Sequence, residues 1–216
     1  MRRRQLAVVG LVALVALSGC AGLTGPLSFS ASQATVTDQA LHQTNYQTAS
    51  VDKSGINRTV SRYGITKRVV VTNWIAQYDR TIDLGPLGKR RGAVFSVIST
   101  PQVRVPLLGA QNPVAHYDNQ RLVTLLQQNY QGVSDVRHVS DYQTTVLGHR
   151  TTVGKYSARA TLQGGQTVDV YVQVTKVQDG GDYVVAAAVY PQQLDGQEAP
   201  RVKTLFGGIR HGNASG

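Results

Sequence analysis

Cys20 is the only cysteine in the chain, so whatever folds after it must be held by packing alone. No disulfide can form within the chain, and no cysteine-based zinc or iron–sulfur site can be built. The remaining length suffices for that. A globule of roughly 200 residues buries about 70% of the surface its unfolded chain exposes. An apolar fraction of 41% and ten Tyr support a folded domain over a disordered one.

The position of Cys20 carries a second message. Arg2, Arg3 and Arg4 open the chain, an uncharged apolar run follows from Leu6 to Leu17, and then come Leu17-Ser18-Gly19-Cys20. A basic start, a short apolar stretch and small residues before a cleavage point are the layout of a signal peptide. The Leu-Ser-Gly-Cys step resembles the lipobox of lipoproteins, in which the thiol accepts a lipid as a thioether. The expected organisation is therefore residues 1–19 as a lipoprotein signal peptide, 20–26 as a lipidated tether and 27–212 as one extracytoplasmic domain. A two-chain lipid on Cys20 gives stable membrane attachment where a single chain gives only marginal binding. A spanning helix, the competing reading, needs about 20 apolar residues and has no use for the Ser-Gly-Cys step. Arg3-Arg4 also resembles a twin-arginine export signal, which leaves that route and the general secretory route both open.

The rest of the chain reads as strands with few helices. Leu27 to Ala31 alternates apolar and polar residues, as a short strand does. Thr37-Asp38 predicts the cap of a short helix carrying Ala40 and Leu41. Gly55 and Gly64 punctuate the next stretch, with strands at Ile56 to Tyr63 and Lys67 to Thr81. In the second of these, neither face is purely apolar. That predicts packing on both sides or a bulge. Asp83 to Arg91 reads as a loop and Gly92 to Thr100 as a central strand. Asp118 caps a helix running to Tyr130, with Leu122, Leu125, Leu126 and Tyr130 on its buried stripe. Four strands follow at Val136 to Leu147, Thr151 to Leu162, Thr167 to Val177 and Tyr183 to Tyr190. Gly164-Gly165 and Asp179-Gly180-Gly181-Asp182 are the tight turns. A last helix covers Gln197 to Phe206. The fold class expected is α+β: a largely antiparallel sheet flanked by helices, sandwich-like in the order α/β/α.

Several segments together resemble a family of uncharacterised haloarchaeal lipoproteins. They are the lipobox, the SFSAS opening at Ser28, VVVTNWIAQYDRT from Val69, GAVFSVISTPQV from Gly92, Asn112-Pro113-Val114 and LGHRTTVGKYSA from Leu147. The order of elements is similar to the fold of photosystem-associated extrinsic proteins, shared with a Ran-binding family. That resemblance implies an antiparallel sheet with helices on both sides, and a binding role more than a catalytic one.

Chemistry-bearing patterns are sparse. None of His42, His116, His138, His149 and His211 lies in an HExxH spacing or is paired at i, i+4. His138 and His149, with Asp141 between them, are the pair a hairpin could bring together. Ser61, Ser96 and Ser99 lack a nucleophile-elbow signature, and Gly85-Pro86-Leu87-Gly88-Lys89 is too short for a phosphate loop. Trp74 and Tyr78 share a strand face and are expected in the core. Lys89, Arg90 and Arg91 form the densest basic cluster after the signal peptide, on an expected loop tip. A solvated turn explains it most simply, and contact with anionic headgroups or a cell-wall polymer is the functional alternative. Asn57 and Asn213 begin glycosylation sequons. Scattered basic residues and export argue against nucleic acid.

The expectation is thus a non-enzymatic binding or assembly module with no cofactor or metal, held at the outer face of the cell membrane through Cys20. An unknown protein or cell-surface polymer is its expected partner. The alternative is a surface hydrolase or solute-binding lipoprotein, signalled by a concave pocket that holds a Ser–His–Asp or His–carboxylate cluster.

Overall fold

The computed structural model describes residues 26–62, 65–83, 89–105, 109–110, 112–129, 132–161 and 165–212. Cys20 and Asn213 lie outside them, as does Tyr130. The elements are β1 (Leu27–Ser30), β2 (Ala34–Val36), α1 (Asp38–Thr44), β3 (Gln47–Arg62), β4 (Ile65–Asp83), β5 (Lys89–Pro101), β6 (Arg104–Val105) and β7 (Gly109–Ala110). A 3-10 turn (Pro113–His116) leads to α2 (Asn119–Asn129), β8 (Val133–Val146), β9 (His149–Thr161), β10 (Thr167–Asp179), β11 (Asp182–Pro191), α3 (Asp195–Gly207) and β12 (Ile209–His211).

One eight-stranded sheet organises the chain, in the order β1-β4-β5-β11-β10-β9-β8 with β3 on the outer edge of β4. All its pairings are antiparallel except β1 with β4, which run parallel from Leu27↔Val69 to Ser30↔Thr72. The inner edge of β4 is shared, since β5 takes over from β1 at Trp74↔Ser99. This is the α+β sheet the sequence predicts, with helices on both faces. α1 and α3 cover one face and α2 covers part of the other.

The predicted faces hold. Val170, Val172 and Val174 point to the α2 side with Leu122 and Val123. The apolar run of β11 lies between β5 and β10 and is buried almost throughout. On the α1/α3 side Phe95 stacks edge-on with Phe206 at 5.3 Å, and Tyr78 lies beside Phe95. Tyr78 is core as expected. Trp74 is half-buried, with the Lys53 ammonium 4.8 Å from its ring.

Caps and turns follow local chemistry. Thr37 Oγ1 accepts the Ala40 N–H at the start of α1, and Asp118 Oδ1 accepts the Arg121 N–H at the start of α2. β8 and β9 are joined by Leu147-Gly148, both at positive φ, the geometry a two-residue hairpin needs. Gly208 brings α3 against α1, since a Cβ there would collide with the Ala40 Cβ.

Three expectations are corrected. Gly55 does not interrupt a strand: β3 begins at Gln47 and carries Gly55 opposite Thr72. No loop tip holds the basic cluster. The backbone of Lys89, Arg90 and Arg91 opens β5 and pairs with Asp83, Ile82 and Thr81, so ladder hydrogen bonds extend the hairpin past its glycine-rich connection. His138 and His149 do not meet. His138 bonds Asp141 at 2.9 Å, whereas His149, eight positions nearer the hairpin turn, bonds Asp179 at 3.3 Å.

The fold also buries the chain's one glutamate. Glu198, on α3, has no exposed surface. It accepts hydrogen bonds from the Tyr46 hydroxyl at 2.9 Å, from Arg201 at 2.8 Å and from Arg80 on β4. Burial, reinforced by the Glu198 charge, raises the pKa of the Tyr46 hydroxyl far above the ordinary tyrosine range, so it remains a donor. Glu198→Ala removes the acceptor and strands two guanidinium groups. Denaturant unfolding is expected to show a loss of about 3–5 kcal/mol.

Candidate functional site

Two places on the described residues gather more chemistry than the fold requires. The first is a side-chain cluster where β12 meets the β10–β11 turn. β12 pairs with β2, placing His211 opposite Ala34. There the His211 Nδ1 lies 2.8 Å from Asp179 Oδ2, and its Nε2 lies 2.9 Å from Asp182 Oδ2 and 3.2 Å from Ser99 Oγ. The Ser32 N–H donates to the same Asp182 oxygen at 2.7 Å.

Ser99, His211 and Asp179 are therefore arranged in the order of a hydrolytic triad, which sequence spacing did not reveal. Two features make the cluster a clamp instead. Ser99 has no exposed surface, so its hydroxyl cannot meet a substrate. A carboxylate sits on each ring nitrogen, and Asp182 lies nearer to Nε2 than the serine hydroxyl does. The cluster thus fastens β12 to the β10–β11 turn and to the chain between β1 and β2.

The hydrogen bond from His211 holds the Asp179 carboxyl below the usual aspartate range. His149 helps and burial opposes. A depressed carboxylate stabilises the fold above its unfolded value, near pH 4, and that contribution is lost as pH falls through the folded value.

The second place is a cavity of about 530 Å³ on the α2 face. Its origin is geometric. Seven strand positions span roughly 30 Å, and a helix about 10 Å across covers only some of them. α2 lies over β8, β9 and β10. The rows beside it, toward β3 and β4, stay open. Ile56, Val71, Ile98, Val103, Leu126 and Val185 give the cavity an apolar wall. The register aligns its floor, with Ile56 opposite Val71 and Val185 opposite Ile98. Asn112 closes one side: its Nδ2 donates to the Pro101 carbonyl at 2.6 Å and its Oδ1 accepts the Val114 N–H at 3.0 Å. The Lys176 ammonium anchors the adjoining turn by donating to the carbonyls of Val114, Ala115 and Tyr117 at 2.6–3.0 Å. Burial lowers its pKa from the ordinary lysine value, partly offset by Asp118.

Besides Asn112 and Thr100, which are bonded to each other, two polar groups interrupt this wall. Among the described residues Arg58 is the only charged one lining the cavity. Asn73 Oδ1 is buried there without a hydrogen-bond donor, at a cost of about 1–3 kcal/mol. Neither stood out in the sequence. Asn73 occupies an apolar row of β4, and that interruption was its only signal.

Among the sequence candidates, Asn57 is exposed on β3. The Asp182 pair and the cavity lie on elements that composition and motif reading did not connect. Among the described residues no cluster of His, Cys, Asp and Glu could hold a metal ion, and no helix is long and apolar enough to cross a membrane.

These features define an α+β sandwich domain with a clamped sheet end and an apolar cavity on one face. Residues 33–210 match the family described as a domain of unknown function, DUF6517, and the chain belongs to that family. No curated protein matches it. Among solved structures it is similar to cyanobacterial PsbP (CyanoP) from Synechocystis sp. PCC 6803. The alignment covers 89% of this chain and 99% of that one, at 14% identity and a TM-score of 0.36.

Two substitutions test these assignments. His211→Gln is expected to cost about 2 kcal/mol near pH 7, and the gap from the unaltered protein should narrow below pH 4. Parallel stability curves across that range would exclude the clamp. Asn73→Leu should stabilise the domain by about 1 kcal/mol, read as a higher denaturant midpoint.

Proposed function

We propose that this protein is a membrane-anchored extracytoplasmic binding module, held at the surface of an archaeal cell by lipid on Cys20 and working without catalysis. The cavity beside α2 is the single observation that carries the binding half of this reading. Small-molecule sites are concave, mostly apolar, and marked by a few placed polar groups. At about 530 Å³ the cavity falls within their usual range of roughly 300–1,000 Å³. Its walls come from strands and a helix, so it exists before any ligand arrives.

The anchoring half rests on the tripartite N-terminus and the Leu17-Ser18-Gly19-Cys20 step. β1 begins at Leu27, seven positions after Cys20, so the tether is short and would hold the domain close to the bilayer. The basic segment Lys89 to Arg91 is the proposed contact for anionic headgroups, as the net positive charge of the chain favours. Asn57 and Asn213 are the proposed glycosylation positions. The resemblance to haloarchaeal lipoproteins accords with the same picture.

The hydrolase alternative draws support only from the Ser99–His211–Asp179 order, which the buried serine and the second carboxylate oppose. Membrane fractionation of Cys20→Ser is the direct check on anchoring. The variant is expected to appear in the medium or to remain unprocessed. Normal processing with full membrane retention would refute attachment through this thiol.

A further inference from the structure

The cavity's polar groups narrow its ligand further than "apolar", and this inference rests on the binding-module reading above. Arg58 stands opposite Val69 on β4, and Asn73 stands opposite Ser54 on β3. Between them lies the apolar row of Ile56 and Val71. Four residue steps along a strand separate the two rows, about 13 Å. Arg58 therefore offers a cation at one end of the apolar floor, and Asn73 offers an unsatisfied acceptor toward the other.

We propose that the cavity binds a single-chain carboxylic amphiphile bearing a hydroxyl about 13 Å from its carboxylate along the apolar body, a distance set by the strand spacing of these two groups. The carboxylate pairs with the Arg58 guanidinium, whose fork matches two carboxylate oxygens. The methylene body lies along Ile56 and Val71 and under Leu126. The hydroxyl donates to Asn73 Oδ1, filling the one buried side-chain acceptor in the lining that lacks a donor. A plain alkane would leave both polar groups unused. A second anionic group would meet no second cation among the described lining residues.

The position of Arg58 supports this. It shares its strand face with Ile56 and Val60, and Val60 packs on the neighbouring apolar cluster of Val69 and Val103. A charged residue in the middle of an apolar row has no core role to fill. Among the described residues Arg58 forms no ion pair, so an incoming carboxylate displaces no internal partner.

The test is isothermal titration of the full chain in bilayer nanodiscs, with empty nanodiscs as blanks. The probes are 10-hydroxydecanoate, decanoate, methyl 10-hydroxydecanoate and decane. The expected order places 10-hydroxydecanoate about tenfold tighter than either decanoate or the methyl ester. Arg58→Gln should weaken both acids at least fivefold and leave the ester unchanged. Asn73→Leu should erase the preference for the hydroxylated acid over decanoate. Ile56→Trp, at a position already 41% exposed, should fill the space above the floor and abolish binding of all four while the circular dichroism spectrum is preserved. Equal affinity for the acids, the ester and decane, with loss only in Ile56→Trp, would overturn the ligand class and leave the binding module standing. No saturable binding of any probe would overturn both.

Discussion

A buried carboxylate holds the two sides of this domain in one geometry. Glu198 is the only glutamate in the chain and has no exposed surface. Its three hydrogen bonds reach β4 through Arg80, the start of β3 through Tyr46 and its own helix through Arg201. A charge in the interior is tolerable only when paired and fully hydrogen-bonded. α3 can therefore dock in one register on the sheet, and Phe206, Leu205 and Val202 enter the core with it. A second polar chain runs from the same helix. Lys155 and Tyr190 donate to Asp195, Gln173 donates to Tyr190, and Tyr142 donates to Gln173. These bonds tie the helix start to β8, β9, β10 and β11.

The opposite face is governed by shortage. Among the described residues the one α-helix on it has eleven residues, with the Pro113–His116 turn beside it, and α2 sits closely over β9. A Cβ on Gly154 would come within 2.8 Å of the Tyr156 ring and 3.1 Å of the Asn119 Cβ. Tight seating at β8–β10 leaves β3 and β4 with an apolar surface and little above it. The cavity is thus a by-product of a well-packed contact elsewhere. Asn73 and Arg58 turn that leftover surface into something with chemical preferences.

Much of the fold was legible because its signals are local. A period-two run marked β10, a nearly continuous apolar run marked β11, Asp118 and Thr37 marked helix starts, and Gly180-Gly181 marked a turn. The long β4 run, apolar on neither face alone, implied packing on both sides or a bulge, and a register shift against β5 is found at Arg80/Thr81. What escaped notice depends on distant residues. β2 and β12 are three residues each and pair across most of the chain, so no periodicity can reveal them. Gly55 looked like a break because its propensity argues against strands, yet pairing with β4 overrides it. The His211 cluster has hydrogen bonds between residues separated by up to 150 positions in sequence, and the orphaned Asn73 acceptor exists only once neighbouring strands exclude water. Cys20, the feature most evident in the sequence, lies outside the described structure.

The pairing of β12 with β2 has a consequence for biogenesis. β11 back to β8 is a chain of hairpins whose partners are close in sequence, a topology that forms quickly. The β2 pairing and the Asp179–His211–Asp182 contacts need residues 209–211, which leave the ribosome after all the rest of the described chain. Until then Asp182 has no imidazole beside it and β2 has no neighbour, so the emerging polypeptide stays incomplete at its sheet end. Translation must deliver the final strand before the globule can close. A translocation machinery that accepts only finished globules would have to wait for that strand, whereas one that threads extended chains could begin long before it is made.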